Sequence, residues 1–177
     1  MANGILVQNK VHAKDTDALN RPVVVAASDV QNGHVLDISN DGTNANGSEV
    51  WTGVAPTTGN LSNLWMAYSP EVVITAGAYR GLTPDPRQFT NVAGRVFDAF
   101  KPQVGDIMTL TEDNLAGTKS TNTFVVATNT AFALTWGAAA VSGLSLELIE
   151  ETTLSLGTGA IGSQKIVAYK FEVVAIA

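Results

Sequence analysis

The sequence contains no cysteine. That removes a disulfide framework, a thiolate metal site and a thiol nucleophile together. Histidine is nearly absent too, with His12 and His34 the two examples. Charged residues make up 15% of the chain, against about a quarter in an average soluble domain. The ten Lys and Arg residues are scattered and the net charge is -6. A sequence-independent nucleic-acid binder needs clustered cations to replace phosphate counterions, so nucleic acid is not expected as a partner. No apolar run approaches the roughly 18 residues of a membrane helix, and no membrane partner is expected. Met1-Ala2-Asn3-Gly4 shows neither a basic start nor a long apolar stretch. No signal peptide is expected there, and synthesis is placed in a cytoplasm. Nowhere does an i, i+3, i+4, i+7 apolar pattern persist, so little helix is expected.

What the chain does have is apolar content of 45% over 177 residues, enough for one domain with a real core. Asn, Thr, Ser and Gly take over much of the solubilising role from charge. Small polar groups cost less to desolvate than charges when a partner covers them, which tilts the reading toward an assembly component.

The clearest local signal is Lys101 to Leu115. Pro102 and Gly105 punctuate its start, Glu112-Asp113-Asn114 closes it, and the residues between alternate. Asp106, Met108 and Leu110 fall on one face, Ile107, Thr109 and Thr111 on the other, as a strand requires. Shorter versions recur along the chain. Residues 1–20 open on Ile5-Leu6-Val7 and then turn polar, which reads as an extended arm able to reach a neighbouring subunit. Strands follow over 21–28, where Pro22 opens the run, and over 33–39, where His34, Leu36 and Ile38 share a face. Asn40 to Ser48 is turn chemistry. Further strands hold Val50, Trp51 and Val54, then Leu64 to Tyr68, then Glu71 to Thr75. Arg80 to Thr90 reads as a loop stiffened by Pro84 and Pro86. Residues 91–100 suit a strand or a short helix. Beyond the central strand, 124–126 and 132–136 form a hairpin-like pair, and 144–148 and 154–156 alternate. The last strand, 164–177, puts Val167, Tyr169, Phe171 and Val173 on one face. Many short strands between turns mean an all-β antiparallel barrel or sandwich. The arm would be 1–20 and the β-rich domain 21–177, with a seam near 101–103 that would divide two β subdomains.

Candidate chemistry is sparse. Gly157-Thr158-Gly159-Ala160-Ile161-Gly162 matches GxGxxG, but a phosphate-binding loop needs a helix after it, and a strand is expected there. The histidines lack metal-ligand spacing. Ser28, Asp29 and His34 lie close in sequence, without the Gly-x-Ser-x-Gly elbow of a hydrolase nucleophile. Asp106, Glu112 and Asp113 form one acidic group and Asp37 with Asp41 a second. Paired carboxylates serve glycosidases and oxygen clusters bind calcium, yet a solvated turn has the same composition. Trp51, Trp65, Trp136, Tyr68 and Tyr79 could form a sugar-binding platform, although aromatics in β proteins are more often core. No catalytic, cofactor-binding or metal-ligating residue is assigned.

Four stretches resemble structural proteins of tailed-bacteriophage heads, especially small decoration or cement proteins: Leu64 to Glu71, Gly81 to Phe89, Val104 to Thr111 and Tyr169 to Val173. The resemblance implies a β-rich, non-enzymatic virion protein that binds the outer surface of a capsid at local three-fold positions and bridges capsomers. It implies the phage major capsid protein as partner, self-association with a trimer favoured, and a place on the capsid surface after synthesis in the host cytoplasm. Family members often use an N-terminal arm to add a strand to the capsid, which makes Ile5, Leu6 and Val7 the expected capsid or subunit contact. The alternative from a different class is a tail- or fibre-associated carbohydrate-binding β module. A small hydrolase using Asp106 or Glu112 ranks behind both.

Overall fold

A computed structural model describes residues 3–38, 49–57, 61–70, 86–156 and 164–176. Among them every extended element is a strand, and the helical turns are short 3-10 pieces. The protein is all-β, built as two sheets.

The first sheet is a closed five-stranded barrel in the order β2-β4-β3-β5-β6. Its strands are β2 (Asn20–Val24), β3 (Val35–Ile38), β4 (Trp51–Val54), β5 (Leu64–Ala67) and β6 (Val96–Phe100). The alternation of each strand divides its side chains between two cores. Val23, Leu36, Ile38, Trp65, Ala67, Phe97 and Ala99 fill the barrel interior. Their neighbours Val35, Leu64, Met66 and Phe100 point outward into a larger second core. Strands β3 and β5 are therefore buried on both faces, and Leu64-Trp65-Met66-Ala67 is apolar throughout as such strands require. Gly53 of β4 lets the barrel close, because a Cβ there would lie 2.7 Å from Val23 Cγ1. Pro22 sits one residue before β4 begins pairing with β2 at Val23.

The second sheet has seven strands in the order β1-β7-β12-β11-β9-β10-β8. These are β1 (Leu6–Lys10), β7 (Ile107–Thr111), β8 (Leu115–Ala116), β9 (Phe124–Val126), β10 (Leu134–Gly137), β11 (Ser145–Leu156) and β12 (Gln164–Ala175). The central stretch of the sequence is β7, paired with β1 on one side and β12 on the other. Met108 and Leu110 lie opposite Phe171 and Tyr169 and pack into the shared core. Trp136 meets the edge of Tyr169 there, with ring centres 5.1 Å apart. The anticipated pairing of 124–126 with 132–136 is present as the antiparallel β9–β10 pair. Not every pairing is antiparallel, since β2–β4 and β8–β10 run parallel.

Two expectations are corrected. The N-terminal segment is extended over β1, but it is docked rather than free. Ile5 and Leu6 are 4% and 3% exposed, Leu6 sits opposite Leu110, and the Ile5 N–H donates to Thr111 Oγ1 at 2.9 Å. Two such apolar residues gain more from this core than from solvent. Second, 144–148 and 154–156 are not separate strands. They are the ends of β11, which continues through a bulge near Ile149 and pairs along its length with β12. Glu71 to Thr75, Asn40 to Ser48 and most of Arg80 to Thr90 lie outside the described residues. Pro86–Gln88 form a 3-10 turn.

Candidate functional site

A buried polar network fastens the two sheets and the N-terminal segment to one another. Asn114 ends a 3-10 turn in which it and Thr111 form a capping box. Its Oδ1 accepts from the Thr111 N–H at 3.1 Å, and its Nδ2 donates to the carbonyl of Asn32, on the barrel side. Asn32 exchanges two hydrogen bonds with the backbone of Ser69 and accepts a third from Asn91. Gly33, at φ +90°, passes so close that a Cβ would stand 2.8 Å from Leu110 and 2.9 Å from Asn114. Only glycine combines that backbone angle with that approach. Buried amides with their donors and acceptors met favour one arrangement over others.

The acidic cluster has the same structural character. Asp106 is fully buried, and its carboxylate accepts from the backbone N–H groups of His12 at 3.0 Å and Gln103 at 2.9 Å. The His12 ring adds a contact from Nδ1 at 2.5 Å, while the rest of that side chain lies open to solvent. Asp106 thus ties the segment after β1 to the turn before β7. Glu112 and Asp113 belong to the capped turn. Among the described residues, no three His, Cys, Asp or Glu side chains cluster closely enough to hold a metal ion.

The remaining candidates are dispersed. Asp29 Oδ1 is taken by the Ala93 N–H at 2.9 Å. His34 is mostly buried and stacks on Phe132 with ring centres 6.3 Å apart. Burial holds its pKa down at about 4. Asp37 is buried in β3, whereas Asp41 lies outside the described residues, as does the GxGxxG stretch. Strands precede and follow that stretch and pair antiparallel, so it is not flanked by the helix that a dinucleotide site requires. The aromatic platform does not assemble from the expected set. Trp136 and Trp65 belong to different cores, Tyr68 packs edge-on against Phe100, and Tyr79 lies outside the described residues. What stands in its place is a recess of about 460 Å³ lined by Asp17, Asn20, Arg21, Glu49 and the partly buried Trp51. The Arg21 guanidinium lies 5.7 Å from the Trp51 ring centre and 5.6 Å from that of Trp65.

Of the expected contact residues, Ile5 and Leu6 are core and Val7 is 37% exposed. Sequence reasoning missed a more conspicuous surface, the outer part of the β11–β12 hairpin. β9 pairs with β11 only over Ser145 to Glu147, and β7 pairs with β12 only over Ala168 to Glu172. Beyond those residues the hairpin continues as a two-stranded ribbon with no further ladder partner among the described strands. The signal was there in the two alternating apolar segments at 144–148 and 154–156, which the intervening Glu150-Glu151-Thr152-Thr153 made look separate.

The fold and these surfaces define an all-β protein whose polar network serves architecture. Comparison with protein-family models, curated proteins and solved structures gave no match.

Proposed function

We propose that this protein is a non-enzymatic structural component of a virion, which binds the outer surface of a phage capsid and stabilises it by bridging capsomers. The observation that carries the reading is the division of the chain into a tightly tied body and a β ribbon that outruns its neighbouring strands. Cementing a shell demands a well-tied body and contact area, and the shared core and buried amide network, which tie the body together, support the reading. Three of the four segments that resemble phage head proteins fall on β5, on the turn and strand of β7, and on β12. The likeness therefore lies in the residues that build the body. Val7, on the outer edge strand, is the part of Ile5-Leu6-Val7 left open to a capsid or subunit contact.

A second reading, a tail- or fibre-associated carbohydrate-binding module, draws on the Arg21–Trp51 recess. A partly buried indole beside carboxylates and an amide is chemistry that suits a sugar.

Quantitative mass spectrometry of purified virions separates the two. A fixed ratio to the major shell protein, near one or one-third per shell subunit, is expected for a lattice-wide cement. A handful of copies would favour the tail module, and absence would overturn both.

A further inference from the structure

Two recesses adjoin beside the segment that links β1 to β2. The first is the one of about 460 Å³ at Arg21, Glu49 and Trp51. The second, of about 360 Å³, is lined by Gln8, Lys14, Tyr68 and Asp98. Asp17 and Asn20 line both, so the two meet at those residues. Each volume lies within the range of small-ligand sites, roughly 300–1,000 Å³.

The polar groups here are positioned by the backbone and left without charged partners. Arg21 lies over both Trp51 and Trp65 and donates from Nη1 to the Asn20 carbonyl at 2.9 Å. Lys14 donates from Nζ to the Gln8 carbonyl. Asn20 Nδ2 donates to the carbonyls of Ala13 at 2.7 Å and Thr16 at 3.2 Å, which leaves its Oδ1 as an acceptor. Among the described residues neither cation is ion-paired, and the carboxylates of Asp17, Glu49 and Asp98 accept no hydrogen bond. Trp51 Nε1 and Tyr68 Oη have no protein partner there either. Because no buried polar side-chain atom is left unpartnered, both of those polar tips reach solvent.

This mixture selects a class of ligand. A hydroxyl both donates and accepts, and the two recesses present carboxylates and an amide oxygen beside guanidinium and ammonium donors. The aromatic rings of Trp51 and Tyr68 suit the apolar C–H face of a sugar, while their polar tips stay wet. A strongly charged ligand of either sign meets like charge, since three carboxylates stand among two cations. The net charge of -6 repels polyanionic glycans further. A single sugar unit engages one recess, whereas a chain of units engages both, and linking the contacts raises affinity.

We infer that the two recesses form one groove that binds a neutral oligosaccharide, with different sugar units on the Trp51 and Tyr68 sides of Asp17 and Asn20. The inference rests on the reading of this protein as a carbohydrate-binding module, and gives that reading a ligand class and a second contact region.

The full chain is applied to an array of immobilised neutral, uronate-bearing and amine-bearing saccharides, from monosaccharides to hexamers. The best neutral ligand is then titrated in solution by calorimetry. Binding is expected to neutral oligosaccharides, more weakly to the matching monosaccharide, and negligibly to the charged sets. Glu49→Ala in one recess and Asp98→Ala in the other replace exposed side chains and should keep the native circular dichroism spectrum. Each should weaken oligosaccharide binding about tenfold or more, and Glu147→Ala on the seven-stranded sheet should leave it unchanged. Loss of affinity in Glu49→Ala alone would overturn the two-recess groove and leave the carbohydrate reading standing on the Trp51 recess. A preference for charged saccharides would overturn the ligand class and leave that reading intact. Sugar binding that ignores both substitutions would overturn the site. Absence of binding across the array would overturn the inference and the carbohydrate reading together. Capture of hexalysine in its place, reversed by Asp17→Asn, would then put a basic peptide in the groove.

Discussion

His34 shows how one residue can be paired with its neighbours at the cost of acid stability. Its ring is stacked on Phe132 and mostly out of water, so the neutral form is favoured and the pKa falls from 6.5 to about 4. Between those values the unfolded chain binds a proton that the folded chain refuses, and stability rises with pH. The contribution is fully present above pH 6.5 and is lost as pH falls through about 4. The shift corresponds to about 3 kcal/mol at most. His34→Phe keeps the apolar stack and removes the titration. Urea denaturation from pH 7 to pH 4 should therefore show a shallower loss in the variant than in the native protein. Equal slopes would mean that His34 is protonated without penalty in the fold. From the sequence, His34 was legible as a sheet residue alternating with Leu36 and Ile38. Its cover was not, because Phe132 is remote in sequence. Asp106 is the same case: its alternation with Met108 and Leu110 put it in a strand register, but its hydrogen bond to the His12 backbone spans 94 residues.

Among elements, β1 illustrates what a local pattern leaves open. Ile5-Leu6-Val7 is equally suited to a free arm and to an edge strand, since both are extended. Docking follows from Leu6 meeting Leu110, from Ile5 bonding Thr111, and from the Asp106 tether just beyond. Removing residues 1–10 is therefore expected to lower the melting temperature markedly, because it uncovers the β7 edge and the core beneath it. The milder Leu6→Ala should cost about 2–4 kcal/mol, as for other buried leucines. A truncated protein that melts with the full chain would show that β1 adds nothing to the body and would restore the free arm. The hairpin gave the opposite error: β11 looked like two strands because acidic and threonine residues interrupt its apolar alternation where it leaves the body.

For the molecule as a whole, the larger core is the decisive feature. It draws Val35, Leu64, Met66 and Phe100 from the barrel and Met108, Leu110, Trp136 and Phe171 from the seven-stranded sheet. Each sheet forms a wall of the same interior, and neither can open without exposing it. Barrel and sheet should unfold in one transition. Trp51 and Trp65 report on the barrel and Trp136 on the sheet, so the Trp51→Phe/Trp65→Phe and Trp136→Phe variants should each show fluorescence and circular dichroism midpoints that coincide. Separate midpoints would establish two independently stable β units divided at the seam. The Lys101-Pro102 junction suggested that seam through turn chemistry, whereas the core that spans its two sides draws on residues as distant in sequence as Leu6 and Val173.

Local chemistry in the chain was enough for the all-β class, the positions of most strands, the scarcity of helix and the weakness of every catalytic motif. Alternation, turn residues and proline act over a few residues and can be read there. Three-dimensional packing settled the closed barrel, the parallel pairings, the docking of β1, the roles of Asp106 and Asn114, and the ribbon that outruns its neighbours. Those outcomes depend on which distant faces meet and which edges remain unmet, and no short-range pattern encodes either.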